Sequence, residues 1–99
     1  MEPYMNEKLS AGEEPVYPEV TFSAFIISLA SSALVGLGEV PDPSSGKTGK
    51  DMQLARHNID LLEMLRQKTK NGVNEDEASL LESLLCELRL KYVIINDRS

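Results

Sequence analysis

Three stretches of the chain carry apolar residues at the spacing of an α-helix, with polar connections between them. The first stretch, residues 22–37, contains no charged residue and is apolar on most of its sides. Thr21 precedes it and can cap the helix N-terminus. Gly38 follows it and can adopt the left-handed conformation that ends many helices. The pattern therefore predicts a highly apolar first helix over 22–37.

The next two stretches are amphipathic and follow a connection rich in proline and glycine, residues 39–50. A helix is predicted over 51–70, with Asp51 as its cap and an apolar face that comprises Leu54, Ala55, Ile59, Leu61, Leu62 and Leu65. A third helix is predicted over 75–92, with an apolar face that comprises Ala78, Leu81, Leu84, Leu85, Leu88 and Tyr92. The short turn around Gly72 predicts that helices 2 and 3 form an αα-hairpin. The segment 92–95 is β-branched, so both a helical and an extended conformation are open for it.

These elements predict an all-α protein with a single helical domain over residues 21–95. Residues 1–20 combine three prolines with several glutamates, and such a segment buries too little apolar surface to offset its ordering entropy. We therefore expect a disordered acidic tail at 1–20 and a short tail at 96–99. The first eleven residues lack an apolar run behind basic residues, so we do not expect a secretory signal.

The charge and the rare residue types exclude several classes of function. The formal net charge of −6 repels phosphate backbones, so we expect no nucleic-acid partner. Cys86 is the only cysteine and His57 the only histidine, which excludes an intrachain disulfide and a zinc site of the usual kind. We expect no metal and no cofactor, and the single thiol favours a cytoplasmic protein.

Several segments together resemble a known family. They are Phe22-Ser23-Ala24-Phe25, the serine-rich run 28–34, the Pro-Asp-Pro loop within 37–43, Gly46-Lys47-Thr48, and the helical segments 59–65 and 88–93. This combination is similar to a family of short bacterial helical proteins catalogued as domain of unknown function number eighteen forty-four. The resemblance covers 22–93 and implies a bacterial, cytosolic protein. It implies no activity, cofactor or catalytic residue.

Two motifs raise the question of catalysis or nucleotide binding. Gly46-Lys47-Thr48 matches the end of a phosphate-binding loop, but Pro41 stands where that motif needs its first glycine, and a helix precedes the loop instead of a strand. Ser28, Ser31 and Ser32 have a single histidine in the chain as a potential base, and no nucleophile-elbow motif occurs. We therefore predict a flexible loop and packing serines, and we do not expect an enzyme.

Five polar or reactive residues on helices 2 and 3 need an interpretation, and two of them have competing ones. Asn58 falls inside the apolar face of helix 2, where it either fixes the register between helices or bonds locally to a loop carbonyl. Cys86 on helix 3 is expected to be a packed structural thiol, the alternative being a redox sensor beside Arg89. His57 is expected at the border of the polar face of helix 2. Asp60 and Glu63 are expected to be exposed charges on that helix.

The excess of apolar surface predicts self-association. Two amphipathic helices that already face each other cannot cover a first helix that is apolar all round, so a second copy is expected to cover it, most simply in a homodimer. The predicted contact residues are Ala24, Ser28, Ser32 and Gly36 as a row of small residues, with Phe25, Val35, Leu90 and Ile94. An unidentified protein partner is also possible. The alternative is a membrane-associated protein with helix 1 in or on the bilayer, against which the acidic flanks argue.

Overall fold

The computed structural model describes residue 17 and residues 19–98. It contains three helices in chain order, α1 (Phe22–Leu37), α2 (Met52–Lys68) and α3 (Glu75–Arg98), and no strand among those residues. Each helix contacts the other two, and the most extensive contact joins α1 and α2. The predicted all-α architecture of three helices is confirmed.

Helix α1 begins and ends where its capping residues predict. The Thr21 hydroxyl accepts a hydrogen bond of 2.9 Å from the Ala24 backbone N–H. Gly38 has a φ of 81°, and its N–H and that of the following residue donate to the carbonyls of Val35 and Leu34, both at 3.0 Å. These bonds satisfy backbone groups that a helix end leaves unpaired. No helix of the described residues is long and apolar enough to span a lipid bilayer.

Helix α2 is shorter at both ends than the predicted range of 51–70. Asp51 lies outside the helix as its cap, and its carboxylate accepts from the Leu54 N–H at 3.1 Å. At the other end, the Thr69 hydroxyl and the Thr69 N–H both donate to the Leu65 carbonyl, at 2.7 and 2.9 Å. Thr69 departs from helical backbone angles, with a φ of −109° and a ψ of 20°, so the helix ends at Lys68 and Lys70 belongs to the turn.

Helix α3 begins as predicted but ends later. Asn74 and Glu77 form a reciprocal capping box, with bonds of 3.0 and 2.8 Å between each backbone N–H and the other side chain. The helix ends at Arg98, beyond the predicted end at 92, so it includes the segment 92–95, for which a helical and an extended conformation were both open, and residues 96–98 of the expected short tail. Ile95 explains the continuation, since it lies two turns beyond Leu88 on the same face and is buried in the core.

The core lies where the three helices meet. Its buried apolar residues are Ile26, Ala30, Ala33, Leu37, Ala55, Ile59, Leu62, Leu81, Leu85, Leu88 and Ile95. Asn58 is buried among them, and its side-chain amide donates to the Leu54 carbonyl of its own helix at 3.0 Å. The bond is therefore local, but its acceptor is a carbonyl of α2 itself and not the loop carbonyl that was expected for a local bond.

The backbones of α1 and α2 come close together at Gly36. A Cβ atom placed on Gly36 would lie 2.7 Å from the Ala55 backbone nitrogen and 2.8 Å from the Asp51 carbonyl oxygen. The Asp51 N–H donates to the Gly36 carbonyl at 2.7 Å. Glycine is therefore required here, because any side chain would push the two helices apart.

The predicted tail lies largely outside the described residues, which exclude 1–16 and 18. Tyr17, Glu19 and Val20 precede α1 without regular secondary structure, and all three are exposed.

Candidate interaction surface on the first helix

One side of α1 faces away from both other helices. We call it the outer face of α1 and define it by Ala24, Phe25, Ser28, Ser31, Ser32 and Val35, all of which are exposed or partly exposed. Phe25 is the largest of these residues and is 49% exposed. The opposite side of the helix, with Ile26, Ala30, Ala33 and Leu37, is buried in the core. The outer face is therefore the part of this uncharged helix that the other described residues, 17 and 19–98, leave uncovered.

The outer face presents fewer polar groups than its serines indicate. The Ser28 hydroxyl donates to the Phe25 backbone carbonyl at 2.8 Å, so its donor is already hydrogen-bonded within the helix. A serine bonded back to its own helix can pack against apolar groups without leaving an unsatisfied donor. Because α1 has no charged side chain, covering the side chains of this face itself desolvates no ion.

A cavity of about 370 Å³ opens at the C-terminal half of the outer face. We call it the loop pocket, because the loop after α1 closes one of its sides. It is lined by Ser31, Ser32 and Val35 of α1, Val40, Pro41, Asp42 and Pro43 of the loop, and Leu54 of α2. Its walls are mainly apolar, so an apolar side chain is the group that fits it best.

The structure gathers five of the predicted contact residues on one surface and separates the other three. Ala24, Phe25, Ser28, Ser32 and Val35 share the outer face. The remaining three lie elsewhere, namely Gly36 in the buried contact with α2, and Leu90 and Ile94 on α3. Small residues were expected to let two copies approach closely. At Gly36, the close approach is instead between α1 and α2 of one chain.

A second exposed apolar patch lies on α3 and comprises Cys86, Leu90, Val93 and Ile94, which we call the α3 patch. Leu90 is 61% exposed and Val93 is 55% exposed. Cys86 is exposed as well, so the expectation of a packed thiol is wrong. The thiol lies on the side of the helix that neither α1 nor α2 covers. Arg89, the cation considered for it, pairs with Glu63 of α2.

The Gly-Lys-Thr segment belongs to a turn organised by Asp42. The Asp42 carboxylate accepts from the backbone N–H and the hydroxyl of Ser44, both at 2.8 Å, and these bonds lower its pKa. The Asp42 carbonyl accepts from Gly46, and its N–H donates to the Lys47 carbonyl at 2.8 Å. The turn is therefore closed around an aspartate, whose negative charge disfavours a phosphate at this place.

Glu63 joins α2 to α3 through an ion-pair cluster. Its carboxylate accepts from Arg66 at 2.7 Å, from Gln67 at 3.0 Å and from the Arg89 guanidinium of α3. Arg66 also reaches Glu82 of α3 at 3.2 Å. These bonds, led by the one from Arg66, lower the pKa of Glu63 from 4.5 to about 2. Glu63 was expected to be an exposed charge, but its side chain is only 22% exposed.

Two residues that shape the surface do not follow from the helical pattern. Leu54 was expected in the core, but it is 37% exposed and lines the loop pocket at the first turn of α2. Val40 lies in a loop and forms part of the same pocket. Val40 directly precedes the Pro-Asp-Pro loop, and an apolar residue at such a position often packs under the loop. Leu54 is eleven residues beyond Pro43, and no comparable signal in the sequence indicates its position.

The described residues offer no constellation for metal chemistry. They contain no group of three or more histidine, cysteine, aspartate or glutamate side chains that could hold an ion. His57 is exposed on α2, and Asp60 pairs with Arg56 at 4.0 Å on the same surface. The outer face of α1 and the α3 patch are exposed apolar surfaces, and we consider both as candidates for function.

Comparisons with known proteins identify the family. The family model described as Domain of unknown function (DUF1844) matches residues 19–94, which is most of the chain. The chain belongs to this family. No curated protein and no solved structure matches the chain.

Proposed function

We propose that this member of the DUF1844 family is a self-associating helical module, a homodimer in which the outer face of α1 covers the same face of a second copy. The observation that carries the proposal is an outward helix side with no charged residue and a half-exposed phenylalanine. A helix that faces only water usually carries charged side chains on that side. A binding role fits this surface better than catalysis, and the single thiol suits the bacterial cytoplasm.

The exposed apolar area supplies part of the free energy that association requires. A phenylalanine side chain buries about 150–250 Å², and Phe25 leaves about half of its area in water. Covering it in both copies removes roughly 200 Å² from water, which contributes about 5 kcal/mol at ~25 cal/mol per Å². Val35 and Leu54 add to this area. The whole face is needed, because association itself costs about 4–15 kcal/mol.

The distribution of charge favours α1 over other surfaces for this contact. Two chains with a formal charge of −6 repel each other, and α2 and α3 both carry acidic side chains on their exposed sides. The electrostatic repulsion between two copies is therefore smallest when they approach each other through the uncharged helix α1.

The α3 patch serves a different contact in this proposal. It is exposed next to charged residues such as Glu87 and Arg89, whereas the outer face of α1 has none. We propose that Leu90 and Ile94 contact a further protein and that they lie outside the dimer interface. A Leu90→Glu substitution is then expected to leave the dissociation constant of the dimer within threefold, and a larger increase would place the patch in the interface.

Sedimentation equilibrium of matched variants tests the proposed function. Ser32→Leu places a bulky group on the outer face and is expected to weaken the dimer by at least tenfold. Ser79→Leu makes the same change at an exposed position of α3 and is expected to leave the dimer unaffected. Equal dissociation constants for the two variants would contradict a contact through α1.

A further inference from the structure

We infer that the two copies pair antiparallel along α1 and that Phe25 of each copy fills the loop pocket of the other. This inference rests on the proposed self-association and adds the orientation and the anchoring residue. A second copy of the chain is the occupant, and each loop pocket is completed by a residue that the other copy supplies.

The outer face is self-complementary, as a two-fold interface requires. In such an interface the same surface contacts itself, so every protruding side chain needs a matching hollow on that surface. Phe25 protrudes at the N-terminal half of the face, and the loop pocket opens at the C-terminal half. The pocket volume of about 370 Å³ accommodates a phenyl ring, and its Val35, Val40 and Leu54 walls are apolar.

Helix geometry selects the antiparallel orientation. Phe25 and Ser32 are seven residues apart, which places them on the same side of α1 within about 20° and roughly 10 Å apart along its axis. A two-fold axis that is perpendicular to the helix and passes midway between Phe25 and Ser32 brings Phe25 of one copy opposite Ser32 of the other copy. A parallel pair would instead hold each Phe25 at the height of the other Phe25, about two turns away from either pocket.

The midpoint of the face permits close packing. Ser28 lies near the proposed axis, and its small side chain is bonded to its own helix at the Phe25 carbonyl. Two backbones can therefore approach closely there, as small residues allow at helix contacts. Asp42 is the charged residue that lines the pocket, and one of its carboxylate oxygens, Oδ1, accepts two hydrogen bonds from Ser44 of the loop.

Disulfide cross-linking tests the orientation. In a Cys86→Ser background, Ser28→Cys places the two thiols near the axis, within the reach of about 7 Å between Cα atoms that a disulfide needs. In Ala24→Cys, the two introduced cysteines lie about nine residues apart along the antiparallel helices, which is roughly 14 Å along the helix axis. The antiparallel pair is expected to cross-link Ser28→Cys rapidly and Ala24→Cys at least tenfold more slowly. Comparable cross-linking rates at both positions would overturn the orientation.

Sedimentation equilibrium of a matched pair of truncations tests the anchoring residue. Phe25→Ala removes two anchors per dimer and is expected to raise the dissociation constant about a hundred-fold. Ile27→Ala removes a residue of α1 that is similarly exposed, at 47%, but points to a different side, and is expected to change it less than threefold. Far-UV circular dichroism establishes that both variants remain folded, as expected for half-exposed positions.

The outcomes separate the two claims. A wild-type chain that stays monomeric would refute the proposed function, and the inference with it. A chain that dimerises, but with equal effects of the two truncations or equal cross-linking at the two cysteines, would refute the inference and leave the proposed self-association standing.

Discussion

Replacing Gly36 by alanine is expected to separate α1 from α2. The added Cβ would lie 2.7 Å from the Ala55 nitrogen and 2.8 Å from the Asp51 oxygen, and both are backbone atoms that cannot rotate away. The helices must therefore move apart. The 2.7 Å bond from the Asp51 N–H to the Gly36 carbonyl crosses the same contact and is expected to lengthen or break.

The expected magnitude is the balance of three effects. Overpacking a close contact costs about 1–3 kcal/mol, and losing a backbone hydrogen bond costs about 1 kcal/mol. Alanine in place of glycine within a helix contributes about 1 kcal/mol in the opposite direction. We expect a net destabilisation of about 2 kcal/mol, which corresponds to a decrease in Tm of about 10 °C for a domain of this size.

Urea unfolding followed by circular dichroism measures this change. All samples are compared at one protein concentration, because association raises apparent stability by mass action. Gly49→Ala is the matched control, since a Cβ at Gly49 would meet no atom within 4 Å. A Gly36→Ala protein that is as stable as the wild type, or more stable, would refute the tight contact between α1 and α2.

Three further predictions concern the charged groups. The pKa of Glu63 is lowered to about 2, so the contribution of this carboxylate to stability is present above its unfolded pKa near 4.5 and is lost as the pH falls from about 4.5 towards 2. In urea titrations, the difference in stability between the wild type and Glu63→Gln should therefore disappear at about pH 2. A difference that stays constant with pH would contradict the ion-pair cluster. Lys47→Ala should leave stability and nucleotide affinity unchanged, and a nucleotide affinity lost on this substitution in calorimetry would restore the phosphate-loop hypothesis. Higher salt should strengthen the dimer in sedimentation because it screens the −6 charge of each copy, and a dimer that weakens with salt would point to a contact through ion pairs.

The parts of the fold that local sequence controls were predictable. The helices are capped by residues that bond to positions three or four residues away, so the residue types alone indicate the helix ends. These capping residues are Thr21, Gly38, Asp51 and the pair Asn74–Glu77. The late end of α3 was not predictable in this way. The β-branched segment 92–95 has only a weak local preference for the helical conformation, and the burial of Ile95 in the core decides the conformation of the segment.

Contacts between helices account for most of what the pattern of residues missed. The periodicity of α1 places Gly36 in a row with Ser28 and Ser32, but only the path of α2 shows that it is buried within the chain. The bond between Glu63 and Arg89 depends on the register of the hairpin, which the turn sets. The loop pocket combines residues of two helices and a loop, so no single periodic pattern could indicate it.

The mass of the wild-type chain in solution tests the central claim most directly. Size exclusion coupled to light scattering, without detergent and at micromolar concentration, distinguishes one copy from two. The outer face of α1 predicts a species with twice the chain mass of 11.0 kDa. A stable, monodisperse monomer under these conditions would contradict the claim that a second copy covers this face.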